Sequence, residues 1–141
     1  MDLPQPMTSA APAVVAIAED DDDFRELLCE LVRAEGHRVL EFEDGFELLD
    51  YVNFTREKDV STHVPDLVIT DLRMPGANGL DVVGWGRLVG MACPIIVLTA
   101  FPGADVTQRA QFVGGVRVLA KPIEPATLIN AVHSSLAGLR K

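Results

Sequence analysis

The stretch AVVAIAEDDDDF, residues 13–24, decides how the rest of the chain is interpreted. Its first six residues are all apolar, which is typical of a short strand buried on both faces of a sheet. Five carboxylates then follow in a row, from Glu19 to Asp23. Neighbouring carboxylates repel one another and raise each other's pKa. A buried strand that ends in such a run indicates either a solvated acidic segment or a place where positive charge is held.

A helix is predicted directly after the acidic run, because apolar residues recur there at helical spacing. These residues are Phe24, Leu27, Leu28, Leu31 and Val32. Asp22 or Asp23 can cap the start of this helix, and Gly36 stands where a left-handed C-terminal cap is expected.

The same order of strand and helix recurs four more times along the chain. Further strands are predicted in HRVLEF, DLVIT, PIIVLT and VRVLA, which are residues 37–42, 66–70, 94–99 and 116–120. Helices are predicted within 44–52, 79–89, 102–115 and 121–139, with Phe46, Leu49 and Val52 of the second helix facing inward and Pro125 in the first turn of the last. Strands rich in Val and Ile that alternate with helices imply a parallel sheet covered on both faces. We therefore predict an α/β fold with five doubly wound strands.

Two segments show no periodicity. Residues 1–12 contain three prolines and are interpreted as a disordered lead, so that the domain comprises residues 13–141. Residues 53–65 are polar and are interpreted as a loop or as a frayed extension of the second helix. No second domain is expected, because 141 residues suit one domain with one core.

Composition excludes several classes of function. The net charge of −9 argues against direct binding of nucleic acid, which needs clustered basic residues. Cys29 and Cys93 lie in apolar segments and are expected to be reduced core thiols of a cytoplasmic protein. Residues 82–101 are largely apolar, but Arg87 and Pro94 favour a helix followed by a buried strand over a membrane span. No secretory signal is expected, since the first basic residue is Arg25.

Polar residues follow four of the predicted strands at their carboxyl ends. Glu19 and Asp20 follow the first strand, Asp71 follows the third, Thr99 closes the fourth and Lys121 follows the fifth. In a parallel sheet of order 2-1-3-4-5, these ends form the ligand crevice. Three carboxylates in one pocket call for a hard divalent cation such as Mg²⁺. Asp21, Asp22 and Asp23 need no metal, because negative charge is favourable at the start of a helix.

Four segments carry a resemblance to a known family. They are AEDDDDFRELL, PDLVITDLRMPGANGLDVV, PIIVLTA and LAKPIEP, in that order along the chain. Together they resemble the receiver domain of two-component response regulators, the CheY-like superfamily with a flavodoxin-like fold. The similarity extends from about Ala13 to Leu139, which is nearly the whole chain.

The resemblance implies a phosphorelay chemistry. Asp71 matches the phosphoacceptor, which takes a phosphoryl group from a histidine kinase, a histidine phosphotransfer protein or a small donor such as acetyl phosphate. Lys121 would pair with one phosphoryl oxygen, and Thr99 would hydrogen-bond another. A receiver is a signalling phosphoprotein and no enzyme in the usual sense, because it catalyses only its own phosphorylation and dephosphorylation.

The resemblance also implies a Mg²⁺ site. Glu19 and Asp20 match the acidic pair, with Asp20 as a direct ligand and Glu19 acting through water. Asp71 would be a third ligand, and Arg73 would contribute only its backbone carbonyl. A downstream protein or effector domain would dock on the face formed by the fourth helix, the fifth strand and the fifth helix, which also allows a homodimer. Neither membrane nor nucleic-acid contact is implied for this domain.

The sequence departs from the family pattern at two places. Many receivers carry an aromatic residue three positions before the lysine, where this chain has Val118. We expect Phe101, in the loop before the fourth helix, to move in its place. The loop before the Asp71 strand is also longer than is usual in the family.

Two alternatives stay open beside the receiver function. One is a pseudo-receiver that binds partners without phosphotransfer. The other is a small Mg²⁺-dependent phosphohydrolase, which is disfavoured because Arg73 stands where such enzymes place a second aspartate. His37, His63 and His133 show no ligand spacing and are expected to be non-catalytic, and Trp85 is expected to pack within the third helix.

Overall fold

The computed structural model describes residues 12–58 and 65–139, in which strands and helices alternate. The strands are β1 (Val14–Ala18), β2 (Arg38–Phe42), β3 (Leu67–Asp71), β4 (Ile95–Thr99) and β5 (Val116–Ala120). The helices are α1 (Asp22–Ala34), α2 (Gly45–Lys58), α3 (Gly79–Leu88), α4 (Ala104–Val113) and α5 (Pro125–Leu139). Residues 1–11 of the expected disordered lead, and His63, lie outside the described residues. The predictions of a disordered lead and of a non-catalytic His63 therefore stay untested.

The described strands form one parallel sheet in the order β2-β1-β3-β4-β5. The prediction of a doubly wound α/β fold is confirmed in both composition and strand order. β1 pairs with β3 in a register that sets Ala18 beside Thr70, and β4 pairs with β5 so that Thr99 lies beside Ala120. The strand ends that bear the polar residues therefore meet at one edge of the sheet.

Alternate residues of the central strands point to opposite faces of the sheet, and each face has its own core. Ile17, Ile69 and Ile96 pack on the side covered by α1 and α5. Ala16, Val68 and Val97 pack on the side covered by α2, α3 and α4. Because β1, β3 and β4 are almost fully buried, their uninterrupted apolar sequences need no alternating pattern.

Several details of the helices differ from the sequence-based expectations. The cap of α1 is Asp21, whose Oδ1 accepts from the Phe24 amide at 3.0 Å, so the choice of Asp22 or Asp23 was wrong by one residue. Phe46 is 57% exposed, which contradicts its predicted inward orientation, whereas Leu49 and Val52 face the core as predicted. In α2 Leu48 and Val52 are buried and Leu49 packs against the same core, while the Phe46 ring lies over Gly76 in the β3–α3 loop.

Other expectations agree with the structure. α2 continues to Lys58, so the first part of the polar segment is an extension of the helix. Gly36 has φ of +93° directly after α1, and α5 begins at Pro125. The apolar segment 82–101 divides between α3 and β4, and within the described residues no helix has the length and apolar character that a bilayer crossing requires.

Candidate functional site at the carboxyl edge of the sheet

The site is built from residues at the ends of four neighbouring elements. Glu19 is the first residue after β1, Asp71 is the last residue of β3, Thr99 ends β4 and Lys121 follows β5. The Glu19 amide donates to the Phe42 carbonyl at 3.0 Å, and the Lys121 amide donates to the Thr99 carbonyl at 2.8 Å. The backbone pairing of the sheet thus continues into the site and fixes where these side chains begin.

Lys121 provides a cation that contacts two carboxylates of the site. Its Nζ lies 2.9 Å from Oδ1 of Asp71 and 3.3 Å from Oε1 of Glu19. Asp71 is 7% exposed and Glu19 is 1% exposed, so a single ammonium group faces two buried carboxylates. This pairing offsets only part of the negative charge of the two carboxylates.

Burial and mutual repulsion shift the ionisation of these groups. Burial, reinforced by the nearby Asp71 and Asp20, raises the pKa of Glu19 to about 7. Burial also raises the pKa of Asp71 above its usual value, against the opposing hydrogen bond and charge of Lys121. Burial alone would lower the pKa of Lys121, but its contacts with Asp71 and Glu19 raise it instead. The pocket is therefore short of positive charge.

Carboxylate oxygens of Glu19, Asp20 and Asp71 lie within 4.8 Å of one another. An all-oxygen donor set that lacks positive charge fits a hard divalent cation, and Mg²⁺ is commonly held by one or two carboxylates with water and phosphate oxygens. Both Glu19 oxygens already have partners, because Oε2 accepts from the Asp21 amide at 3.0 Å while Oε1 faces Lys121. Asp20 instead lies exposed at the mouth of the pocket.

The β3–α3 loop holds the Asp71 backbone tightly. The Leu72 amide donates to the Leu98 carbonyl at 2.9 Å, and the Gly79 amide donates to the Leu72 carbonyl at 2.8 Å. A Cβ at Gly79 would overlap the carbonyl oxygen of Asp71, so only glycine permits this approach. Gly79 is thus a positioning residue that the sequence-based reasoning missed, although its place at the start of α3 was a signal.

Arg25 is a second positioning residue that was missed. Its Nη1 donates to the Glu19 carbonyl at 2.8 Å, and its Nη2 pairs with Asp22 Oδ1 at 2.7 Å. The arginine therefore ties the first turn of α1 to the end of β1. Its position six residues after Glu19 places it at the end of the first turn of the predicted helix, and only the folded structure shows which side of that turn faces the strand end.

Two aromatic rings flank the pocket. Phe24 lies beside Lys121, whose Nζ is 5.0 Å from the ring centroid. Phe101 is 71% exposed, and the Arg73 guanidinium carbon is 6.0 Å from its centroid. The buried Thr99 hydroxyl accepts from the Phe101 amide at 3.1 Å, which connects the end of β4 to the exposed ring. Arg73 therefore presents its side chain outside the acidic cluster.

The remaining candidates lie apart from this chemistry. His37 is buried and its Nδ1 accepts from the Ala13 amide at 3.2 Å, while His133 Nε2 lies 2.8 Å from Glu35 Oε1. Trp85 is 41% exposed and donates from Nε1 to Asn53 Oδ1, so the expectation of a packed tryptophan is only partly met. Cys29 and Cys93 are buried and unpaired with each other, as expected.

Residues 15–133 match the family model of the response regulator receiver domain. The chain belongs to this family. It is a receiver domain of two-component signal transduction, and its role is signalling rather than metabolic catalysis.

Relatives and solved structures agree with this assignment. The chain is 35% identical over 134 residues to the transcriptional regulatory protein PdtaR of Mycobacterium tuberculosis, and the match covers 94% of this chain and 61% of that protein. It is 30% identical to the polar-differentiation response regulator DivK of Brucella anthropi, covering 89% and 97% respectively. The structure of the chemotaxis protein CheY4 of Vibrio cholerae matches with a TM-score of 0.76 at 26% identity, covering 89% of this chain and all of that one. The receiver domain thus spans about three fifths of the mycobacterial relative.

Proposed function

We propose that this receiver domain accepts a phosphoryl group on Asp71 in a Mg²⁺-dependent reaction and thereby changes how it binds its partners. The observation that carries the proposal is the contact of Lys121 Nζ with Asp71 Oδ1 beside the carboxylates of Glu19 and Asp20. A nucleophile, a cation for the transferred group and a metal-type donor set are the parts that phosphoryl transfer needs.

Transfer requires one bond to form and one to break. An Asp71 carboxylate oxygen attacks the donor phosphorus, and the bond from phosphorus to the donor's imidazole nitrogen or carboxylate oxygen breaks. The bonding electrons leave with the donor, and Asp71 becomes an aspartyl-phosphate. Lys121 already contacts this carboxylate and is placed to pair with a phosphoryl oxygen, while Thr99 offers its hydroxyl from the end of β4.

Glu19, Asp20 and Asp71 are the residues that would hold Mg²⁺. The exposed position of Asp20 supports a direct ligand, and the two engaged oxygens of Glu19 support contact through water. A bound Mg²⁺ would neutralise charge on the phosphoryl oxygens and align donor and acceptor. A contribution from the Arg73 backbone carbonyl stays a prediction from the family resemblance.

The expected donor is a histidine kinase or a histidine phosphotransfer protein, and the expected output is a downstream protein or effector domain. The α4–β5–α5 surface is the proposed docking face for the output. A cytoplasmic location is likewise a proposal, supported by two buried thiols that are not paired with each other. Transcriptional output, as named for the mycobacterial relative, would belong to a longer protein and is not proposed for this domain.

The switch is proposed to run through Phe101. The Phe101 amide donates to the Thr99 hydroxyl, so recruitment of that hydroxyl by a phosphoryl oxygen would break this hydrogen bond. Loss of this hydrogen bond would allow the exposed Phe101 ring to move and to lose its contact with the Arg73 guanidinium group. Val118 packs against the core of the α2–α4 side and is too short and too stiff about χ1 to take this role. Beryllofluoride with Mg²⁺ should therefore shift amide signals across residues 99–113, and shifts that stop at Asp71 and Lys121 would refute the loop-centred switch.

The function is tested by incubating the chain with acetyl phosphate and measuring its intact mass with and without Mg²⁺. We expect one added phosphoryl group, located at Asp71 by peptide mass spectrometry, and no addition when the metal is chelated. Absence of both phosphorylation and beryllofluoride binding would favour the pseudo-receiver. Multiple turnover of a small phosphate ester would favour the phosphohydrolase.

A further inference from the structure

The outer side of α3 and α4 displays large apolar residues that the acidic site does not use. Trp85 is 41% exposed, Leu88 is 81% exposed and Phe112 is 90% exposed. Large apolar side chains that gather on one surface of a soluble domain commonly mark a binding site. The α3–α4 face is the name used here for the surface formed by Asp81, Trp85, Leu88, Arg109 and Phe112.

A groove of about 480 Å³ lies between the two helices of this face. Its walls include Leu80 and Trp85 from α3 and Phe112 from α4. Gly84 also lines the groove, and a Cβ at this position would meet no atom within 4 Å, so the groove is open there. The face therefore combines a recess with a protruding aromatic ring beside it.

The charges of the face identify the kind of partner. Asp81 Oδ1 and Arg109 Nη2 are 2.6 Å apart, and both side chains are more than half exposed. The pair sums to zero, whereas the whole chain carries −9. This neutral pair would give little net electrostatic attraction to a strongly basic partner. A second copy of the chain brings one aspartate and one arginine, and it also brings both a protruding ring and a recess.

We propose that the α3–α4 face is a two-fold interface between two copies of this receiver domain. In a two-fold interface the same surface is used by both copies, so residue contacts are reciprocal. Phe112 of each copy enters the groove of the other, and Arg109 of each copy faces Asp81 of the other. The inference does not rest on phosphotransfer, because none of the residues of this face belongs to the acidic site.

The charge of the whole chain gives the proposal a distinctive salt dependence. Two chains of −9 each repel one another, and salt screens that repulsion. Self-association through the apolar face should therefore tighten as salt rises. Docking of a basic partner on this acidic domain would loosen under the same change.

The first test is sedimentation velocity over a concentration series at low salt and at about 0.5 M salt. Trp85 emission is recorded in parallel, because Trp85 is the single tryptophan of the chain and lies in the face. We expect a dimer that tightens with salt, a blue shift of Trp85 on association, and a loss of affinity of about tenfold or more in Phe112→Ser. Leu27→Ser, at a 45% exposed apolar residue of α1 outside the face, is the control and should associate as the wild type does. A chain that stays monomeric in both salts, or equal effects of the two variants, overturns the proposal.

The second test separates contacts within a chain from contacts between chains. Arg109→Asp and Asp81→Arg each break the ion pair within their own chain and place like charges across the interface, so each variant alone should associate more weakly than the wild type. An equimolar mixture of the two variants restores opposite charges only between chains. We expect the mixture to associate more tightly than either variant alone, and a mixture no tighter than its components overturns the reciprocal contact.

Discussion

Five consecutive carboxylates, Glu19 to Asp23, fall into two groups with different surroundings. Glu19 is buried against Lys121, and Asp20 joins Glu19 and Asp71 in a cluster of oxygens. Asp21, by contrast, caps α1 through the Phe24 amide, and Asp22 pairs with Arg25. Asp20 and Asp22 are both exposed, so exposure alone does not distinguish the two groups.

The two groups differ in whether the carboxylate lies at the end of β1 or among the free backbone N–H groups at the start of α1. Asp21, Asp22 and Asp23 lie at or in the first turn of α1, where free backbone N–H groups favour negative charge. Glu19 and Asp20 lie between the strand end and the helix, and the Glu19 carboxylate there pairs with Lys121, which is distant in sequence. Identical side chains one or two residues apart are thus expected to differ in every property that depends on metal or phosphate.

The largest expected difference concerns phosphorylation. Asp71→Asn should abolish phosphorylation by acetyl phosphate, because the amide is a poor nucleophile. The asparagine side chain has nearly the same shape as aspartate, so the fold should be unchanged. Asp22→Asn removes the same charge from the helix start and should be phosphorylated to the wild-type extent. Intact mass spectrometry measures both variants, and full phosphorylation of Asp71→Asn would remove Asp71 from its proposed role.

Metal affinity should separate the two groups next. Asp20→Ala should weaken Mg²⁺ binding by about tenfold or more, whereas Asp22→Ala should change it less than about twofold. The reason is that the Asp20 carboxylate, unlike that of Asp22, belongs to the cluster in which oxygens of Glu19, Asp20 and Asp71 lie within 4.8 Å of one another. Titration of Mg²⁺ followed by amide chemical shifts gives both affinities.

The same pair of variants carries an internal check on stability. Metal-free Asp20→Ala should be at least as stable as the wild type, because it removes one of three mutually repelling carboxylates. Equal losses of Mg²⁺ affinity in the two variants would contradict the assigned geometry.

The buried strands and the polar residues at their carboxyl ends could be predicted from the sequence. The uninterrupted apolar strands and the polar residues that end them are local features, and Glu19, Asp20, Asp71 and Lys121 indeed converge. The cap was misassigned by one residue because Asp21, Asp22 and Asp23 are chemically equivalent, and only the first dihedral angles of α1 choose between them. Phe46 was expected inside because helical spacing tells which residues share a face but not which neighbouring loops contact that face.

The pH dependence of stability should report on the buried Glu19. The Glu19 pKa is raised from 4.5 to about 7 in the folded chain, so between these values the folded state holds a proton that the unfolded state has lost. Metal-free stability should therefore be highest near the lower pH and fall as pH rises toward about 7, by up to a few kcal/mol. The raised pKa of Asp71 acts in the same direction.

Urea unfolding in chelator across this pH range measures the effect. Glu19→Gln should flatten the fall, because glutamine does not titrate. Saturating Mg²⁺ should oppose the fall near neutral pH, since a cation stabilises the ionised carboxylates. A wild-type stability that does not fall across this range, or a fall that is equally steep in Glu19→Gln, would contradict the raised pKa of Glu19.

The smallest expected effect belongs to the helix start, and it can be separated from charge. Asp21→Ala removes the oxygen that accepts from the Phe24 amide and should cost about 1 kcal/mol of unfolding free energy. Asp21→Asn keeps an oxygen at the cap and removes only the charge, so it should stay within about 0.5 kcal/mol of the wild type. Urea unfolding at neutral pH compares the variants, and Mg²⁺ affinity should be nearly unchanged in both because the side chain of Asp21 points to the helix rather than the pocket. Equal destabilisation by alanine and asparagine would mean that Asp21 acts through its charge, and the division of the acidic run would then lie one residue further along the chain.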